Sequence, residues 1–177
     1  MNPEDQKLNI TPKPEKVIRE KIQKTEDLSL KFSSEMDNDN KNISGANKKI
    51  EVSDDKDNSF IGNVYFYESD NSLEIKLVSI EPQYRGQNIG ISLYKELIRI
   101  AKDKGKEKVC SDSTVQAGAL SAWKKLKDEG FSVKINPSIE EKFNEFQKTY
   151  NEGKYFKEFI KVPEGEHAFE VVLDNKS

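Results

Sequence analysis

Tyr84-Arg85-Gly86-Gln87-Asn88-Ile89-Gly90 joins a run that alternates apolar and polar residues to one whose apolar residues recur at helical spacing. Before it, Leu73-Glu74-Ile75-Lys76-Leu77-Val78-Ser79-Ile80 has period two and reads as a β-strand. After it, Ile89, Leu93, Leu97 and Ile100 fall on one helical face, widened by Tyr94, Ile98 and Ala101. A strand, a short glycine-bearing turn and a helix form an anion site. The first N–H groups of a helix have no intrahelical partner, and the helix dipole favours negative charge there. Glycine lets a ligand's phosphates approach the backbone, and Arg85 supplies a fixed positive charge.

Composition narrows the class. In 177 residues, 34% are hydrophobic and 34% charged, which points to one domain with polar appendages rather than two full domains. Lys and Arg number 29 against 32 Asp and Glu, so no basic excess argues for nucleic acid. One cysteine, Cys110, excludes an internal disulfide and fits a reducing compartment. One histidine, His167, gives no basis for a His-rich metal site or a dispersed Ser/His/Asp triad, and it reads as a surface residue. No metal site is expected. No run is long enough for a membrane span, and the first residues lack a secretory signal. A cytoplasmic location is the default, with a protein exported by another route as the alternative.

Outward from the decisive stretch, the chain alternates strand and helix signals. Residues 1–27 are polar, interrupted by Pro12 and Pro14, and read as a flexible or loosely docked arm. The rest, 28–177, reads as one domain. Strands are expected at 28–32, 48–52, 60–67 and 73–80, with an Asp- and Asn-rich loop at 36–47. Beyond the helix, which Gly105 ends, 108–112 reads as a fifth strand and 115–129 as a second helix with a Ser113/Gln116 capping box. Residues 131–135 form a sixth strand. A third helix, started by Ser138 and Glu141, inserts near 138–152. Residues 155–162 are open between helical turn and strand, and 169–173 read as the last strand.

Arg85-Gly86-Gln87-Asn88-Ile89-Gly90 resembles the acyl-CoA signature of the GNAT superfamily of N-acetyltransferases, Arg/Gln-x-x-Gly-x-Gly/Ala, which bridges the fourth strand and third helix of that fold. Asn88 stands at the middle glycine, and Asn is the non-glycine residue that best tolerates left-handed angles. Ala122-Trp123-Lys124-Lys125-Leu126 followed by Gly130-Phe131 resembles the family's later helix. The resemblance covers roughly residues 28–135 and 168–174. It implies an α+β, three-layer fold: a mixed, mostly antiparallel sheet of about six to seven strands, helices on both faces, and a V-shaped opening between the fourth and fifth strands.

By the same resemblance, Arg85, Gly86, Gln87, Asn88, Ile89 and Gly90 would hold the pyrophosphate of acetyl-CoA, the co-substrate. Val78 and Ile80 would meet the pantetheine through the main chain. The activity implied is direct acetyl transfer to a primary amine, on a protein lysine or N-terminus or on a small amine, in a ternary complex. Glu81, Ser113 and Trp123 are the candidate catalytic residues. Trp123 takes the place of the family's acidic tyrosine, and indole donates a hydrogen bond but no proton at useful pH. For the base, Glu74, Asp112, Ser111 and a water relay stay open beside Glu81 and Ser113, and Tyr65 and Tyr67 would line the acceptor side. Cys110 reads as a small buried residue. Two rival functions remain. One is an acyl-CoA-binding module that has lost transfer, and the other is a virus-associated or effector interaction protein.

Overall fold

A computed structural model describes residues 28–40, 42, 43, 45–153 and 159–174. The arm expected over 1–27, and 154–158 within the ambiguous stretch, lie outside the described residues. The strands are β1 (Leu30–Phe32), β2 (Met36–Asp37), β3 (Lys48–Asp54), β4 (Phe60–Glu68), β5 (Ser72–Ile80), β6 (Lys108–Cys110), β7 (Thr114–Val115), β8 (Val133–Ile135), β9 (Ile160–Lys161) and β10 (Phe169–Val172). Three helices are described: α1 (Ile89–Asp103), α2 (Ala117–Asp128) and α3 (Glu140–Asn151).

The main sheet has eight strands, in the order β1-β3-β4-β5-β6-β10-β8 with β2 added to β3. It exceeds the expected six to seven because Met36–Asp37 pairs with Lys48 and Lys49. β3, β4 and β5 form an antiparallel meander. β5 and β6 are parallel, the geometry that a helical crossover such as α1 allows. β10 then enters antiparallel between β6 and β8.

Alternation along β5 breaks at one point. The register with β4 shifts between Tyr65 and Phe66, so Phe66 opposes Ile75 while Val64 opposes Val78. Ile75 is buried and Val78 packs against the core, three residues apart, and Leu77 is left 40% exposed. Such a shift re-aims the end of the strand. That end is the part of β5 beside the opening.

α1 forms where the apolar stripe predicts, and it buries Ile89, Leu93, Tyr94, Leu97 and Ile100. Its stripe packs beneath β5 and β6. An aromatic chain ties the helices together. Tyr94 of α1 meets Trp123 of α2 at 5.4 Å, Trp123 stacks on Phe169 of β10 at 5.3 Å, and Phe143 of α3 meets Phe169 edge-on at 5.0 Å. The helices expected on both faces therefore gather, among the described residues, on the face carrying Phe169. The alternate residues of the central strands point away from it and form ion pairs, Lys76 with Glu74 and Lys108 with Glu170.

Neither expected capping box forms. After Ser113 the chain stays extended through Thr114 and Val115, which pair with Lys161 and Ile160, and α2 starts only at Ala117. Gln116 is its N-cap, with no side-chain cap bond. At α3 a 3₁₀ turn over Pro137–Ile139 comes first. The Asn136 side chain accepts from the Ser138 N–H there, and Glu140 opens the helix. The sequence signals marked the right neighbourhoods but not the residues that start the helices.

Candidate active site

β5 and β6 pair only through Ser72, Glu74 and their neighbour Leu73, against Lys108 to Cys110. The closed end is pinned by Lys106, whose ammonium donates to Ser69 O at 2.6 Å and Asp70 O at 3.2 Å. From Ile75 onward β5 has no strand on that side, and a cleft of about 760 Å³ opens between it and α1 and α2. That volume is in the range of small-molecule sites.

The exposed edge has a definite pattern of donors. The Glu81 N–H bonds Ile61 O at 2.8 Å, toward β4. Alternate groups along a strand point to opposite sides, so the N–H groups of Ile80 and Val78 face the opening. Arg85 confirms the direction, since its Nε donates to Ile80 O at 3.0 Å from that side.

The turn is built around two left-handed residues. Gly86 has φ +76°, and a Cβ placed there would meet nothing within 4 Å, so its backbone is open to a ligand. Asn88, the N-cap of α1, has φ 60° and ψ 20°. The first helical bond runs from Ser92 N–H to Asn88 O at 3.4 Å. Among the described residues, no N–H from Gly86 to Ile91 donates to a protein group. An uninterrupted row of free donors at a helix start suits a phosphate or diphosphate.

Of the expected binding residues, Val78, Ile80, Arg85, Gly86, Asn88, Ile89 and Gly90 line the cleft. Gln87 does not. Its side chain is buried, with Nε2 on Gln83 O at 3.3 Å, so only its main chain is available to a ligand. Trp123 lines the cleft but is 1% exposed, held in the aromatic cluster. Glu81 and Ser113 lie outside the lining. Ser113 instead serves the β7–β9 pair, its carbonyl accepting from Val162 N–H at 2.9 Å.

Asp112 and Ser111 do line the cleft, where β6 ends. Ser111 is structural, its Oγ accepting from the N–H groups of Ala168 and Phe169 at 3.1 and 3.0 Å. His167, expected at the surface, is half-buried, and its Nδ1 lies 2.8 Å from Ser111 O, which assigns the proton to Nδ1. Lys76 bridges Glu74 and Asp112, the latter at 3.5 Å. Burial acts to lower the Lys76 pKa, but the two carboxylates outweigh it and raise it above the usual lysine value. Lys76 is therefore a fixed cation rather than a base. Tyr65, Tyr67 and Glu74 do not line the cleft. Burial pushes the Cys110 thiol up to about 11, and its Sγ faces Leu73 O at 3.8 Å, so it is no nucleophile at neutral pH.

Lys125 is the residue that sequence reasoning missed. It lines the cleft from α2, and its ammonium contacts the Asn88 side-chain oxygen across 37 positions of sequence. A signal existed: Gly118, Ala122 and Lys125 share one helical stripe, and the lysine ends a run of small residues. Among the described residues, no cluster of His, Cys, Asp or Glu is placed to hold a metal ion, and no helix is long and apolar enough to cross a membrane.

The model of the Acetyltransferase (GNAT) family matches residues 20–127. No curated protein sequence matches the chain. Among solved structures, it is similar to an IAA acetyltransferase from Bacillus cereus (15% identity, 82% of this chain and 100% of that one, TM-score 0.46). It is also similar to an acetyltransferase of the GNAT family from Staphylococcus aureus (15% identity, 74% and 70%, TM-score 0.44). A third is N-acetylglutamate synthase from Neisseria gonorrhoeae, complexed with coenzyme A and N-acetyl-glutamate (12% identity, 82% and 35%, TM-score 0.47).

Proposed function

The chain belongs to the acetyltransferase (GNAT) family, and on that premise we propose that it moves an acetyl group from acetyl-CoA to a primary amine by direct transfer in a ternary complex. The acceptor is a protein lysine or N-terminus, or a small amine. One observation carries this reading: the free N–H groups from Gly86 to Ile91 lie at the mouth of a cleft whose wall is an unpaired strand edge. The row of amides takes the diphosphate, and Lys125 adds a positive charge beside it. Arg85 braces the turn against the end of β5. The edge at Val78 and Ile80 takes the extended arm as an added strand would be taken.

In the transfer, the amine nitrogen attacks the thioester carbonyl, the C–N bond forms, and the C–S bond breaks. The nitrogen gives up one proton and the sulfur gains one. Among the carboxylates considered, Asp112 is the one that lines the cleft, and it accepts the amine proton directly or through one water. Trp123 transfers no proton, so the sulfur is protonated by water. CoA thiolate leaves well enough near neutral pH for that. A second reading, an acyl-CoA-binding module with little transfer, is favoured by the indole at Trp123.

Thermal unfolding with acetyl-CoA, followed by thiol release over a panel of amines, tests both. A ligand at a hundred times its Kd stabilises the native state by about 2.7 kcal/mol. The proposal expects a raised melting temperature, which Arg85→Ala diminishes, and amine-dependent thiol release. A melting shift without release selects the second reading. No shift at saturating acetyl-CoA removes both.

A further inference from the structure

Tyr94 sits in the second turn of α1 and lines the cleft. It is 3% exposed, and its ring packs against Trp123. Its hydroxyl makes no hydrogen bond among the described residues. It is not sealed in either, because the enclosed side-chain oxygens without a partner are Glu35 Oε1, Asn63 Oδ1 and Gln87 Oε1. A buried phenol that is unpaired yet not enclosed presents its oxygen to the cavity it lines.

The surrounding wall makes this hydroxyl stand out. Ala119 and Ala122 offer no polar atom, and the Ser121 hydroxyl is already given to Gly118 O at 2.8 Å. Burial pushes the Tyr94 pKa well above the usual phenol value, so the group stays protonated and acts as a donor, not as an acid. With no protein acceptor beside it, this donor is free to bond water or a ligand acceptor in the cleft.

An extended arm bearing two amides, laid along β5, presents one edge to the Val78 and Ile80 main chain. Its other edge faces α1 and α2. We propose that the Tyr94 hydroxyl donates a hydrogen bond to an amide carbonyl of the pantetheine arm and so fixes the register of the arm against β5. This rests on the coenzyme reading above and adds to it a specific positioning residue for the arm, distinct from the groups that meet the phosphates.

The test uses Tyr94→Phe, which keeps the ring and its packing. Affinities are measured calorimetrically for CoA and for adenosine 3′,5′-bisphosphate, which carries nucleotide phosphates but no arm. The expected result is CoA binding weakened roughly three- to tenfold, the worth of one neutral hydrogen bond. Bisphosphate affinity stays unchanged, and KM for acetyl-CoA rises while kcat holds. Unchanged CoA affinity, or an equal loss for both ligands, overturns the role of Tyr94 and leaves the coenzyme site standing. Failure of the unsubstituted protein to bind CoA overturns both.

Discussion

Asn88 carries two demands at once. It holds the left-handed conformation of the turn before α1, and its side-chain oxygen receives the Lys125 ammonium. Asn meets the first demand because its short polar side chain tolerates αL, which most L-residues avoid. The backbone demand was legible in the sequence, where Asn88 replaces a glycine in a glycine pattern. The contact with Lys125 was not, because it joins residues far apart along the chain. Separating the two demands gives a prediction. Asn88→Gly keeps the turn and loses the lysine contact, and its stability changes by less than about 0.5 kcal/mol. Asn88→Ala loses both, and it is expected to cost about 1–2 kcal/mol for a strained φ. Thermal melting of the two variants side by side reads the difference, with Ala melting lower by several degrees. Equal melting temperatures would show that the turn relaxes away from αL.

At the scale of elements, what was legible depended on whether the signal is local. The stripe of α1 was read directly, since burial against a single sheet face imposes helical spacing on the sequence. The meander β3–β5 followed from alternation and turn residues. The start of α2 was misplaced for a non-local reason. Thr114 and Val115 are held extended by Ile160 and Lys161, some 46 residues further on, and no local pattern records that partner. Pairing also displaced Ser113 from the helix it would have capped. The consequence is a helix whose N-cap, Gln116, has extended angles (φ −77°, ψ 158°) but no capping bond. Gln116→Ser supplies the missing acceptor and is expected to stabilise the protein by about 0.5–1 kcal/mol. Denaturant unfolding checks it, through a higher midpoint at unchanged slope. A lower midpoint would mean that Gln116 is held by something other than its cap position.

For the molecule as a whole, the site follows from one topological event. β5 and β6 begin together at Ser72 and Lys108 and part after Glu74, while α1, joining them, delivers its free amides to the mouth of the gap. The aromatic chain from Tyr94 through Trp123 to Phe169 and Phe143 holds α1, α2 and α3 on one face and keeps the wall of the cleft in place. The order of strands and helices and the opening itself were legible, through the turn at 85–90 and its flanks. Which side chains line the cleft was not. Glu81 and Ser113, next to the cleft in sequence, are not among the residues that line it; the Glu81 N–H bonds Ile61 O and the Ser113 carbonyl accepts from Val162 N–H. Adjacency along the chain fixes a turn whose free groups are its own backbone, but not side chains gathered from separate elements.

The central claim is that the amides of residues 86–91 receive the coenzyme's diphosphate. Following backbone amide resonances during a titration with CoA measures this residue by residue. The account predicts the largest shifts at Gly86 to Ile91, with accompanying shifts at Val78 and Ile80. Saturation of CoA binding with those amides unmoved, and shifts confined to another part of the molecule, would contradict it.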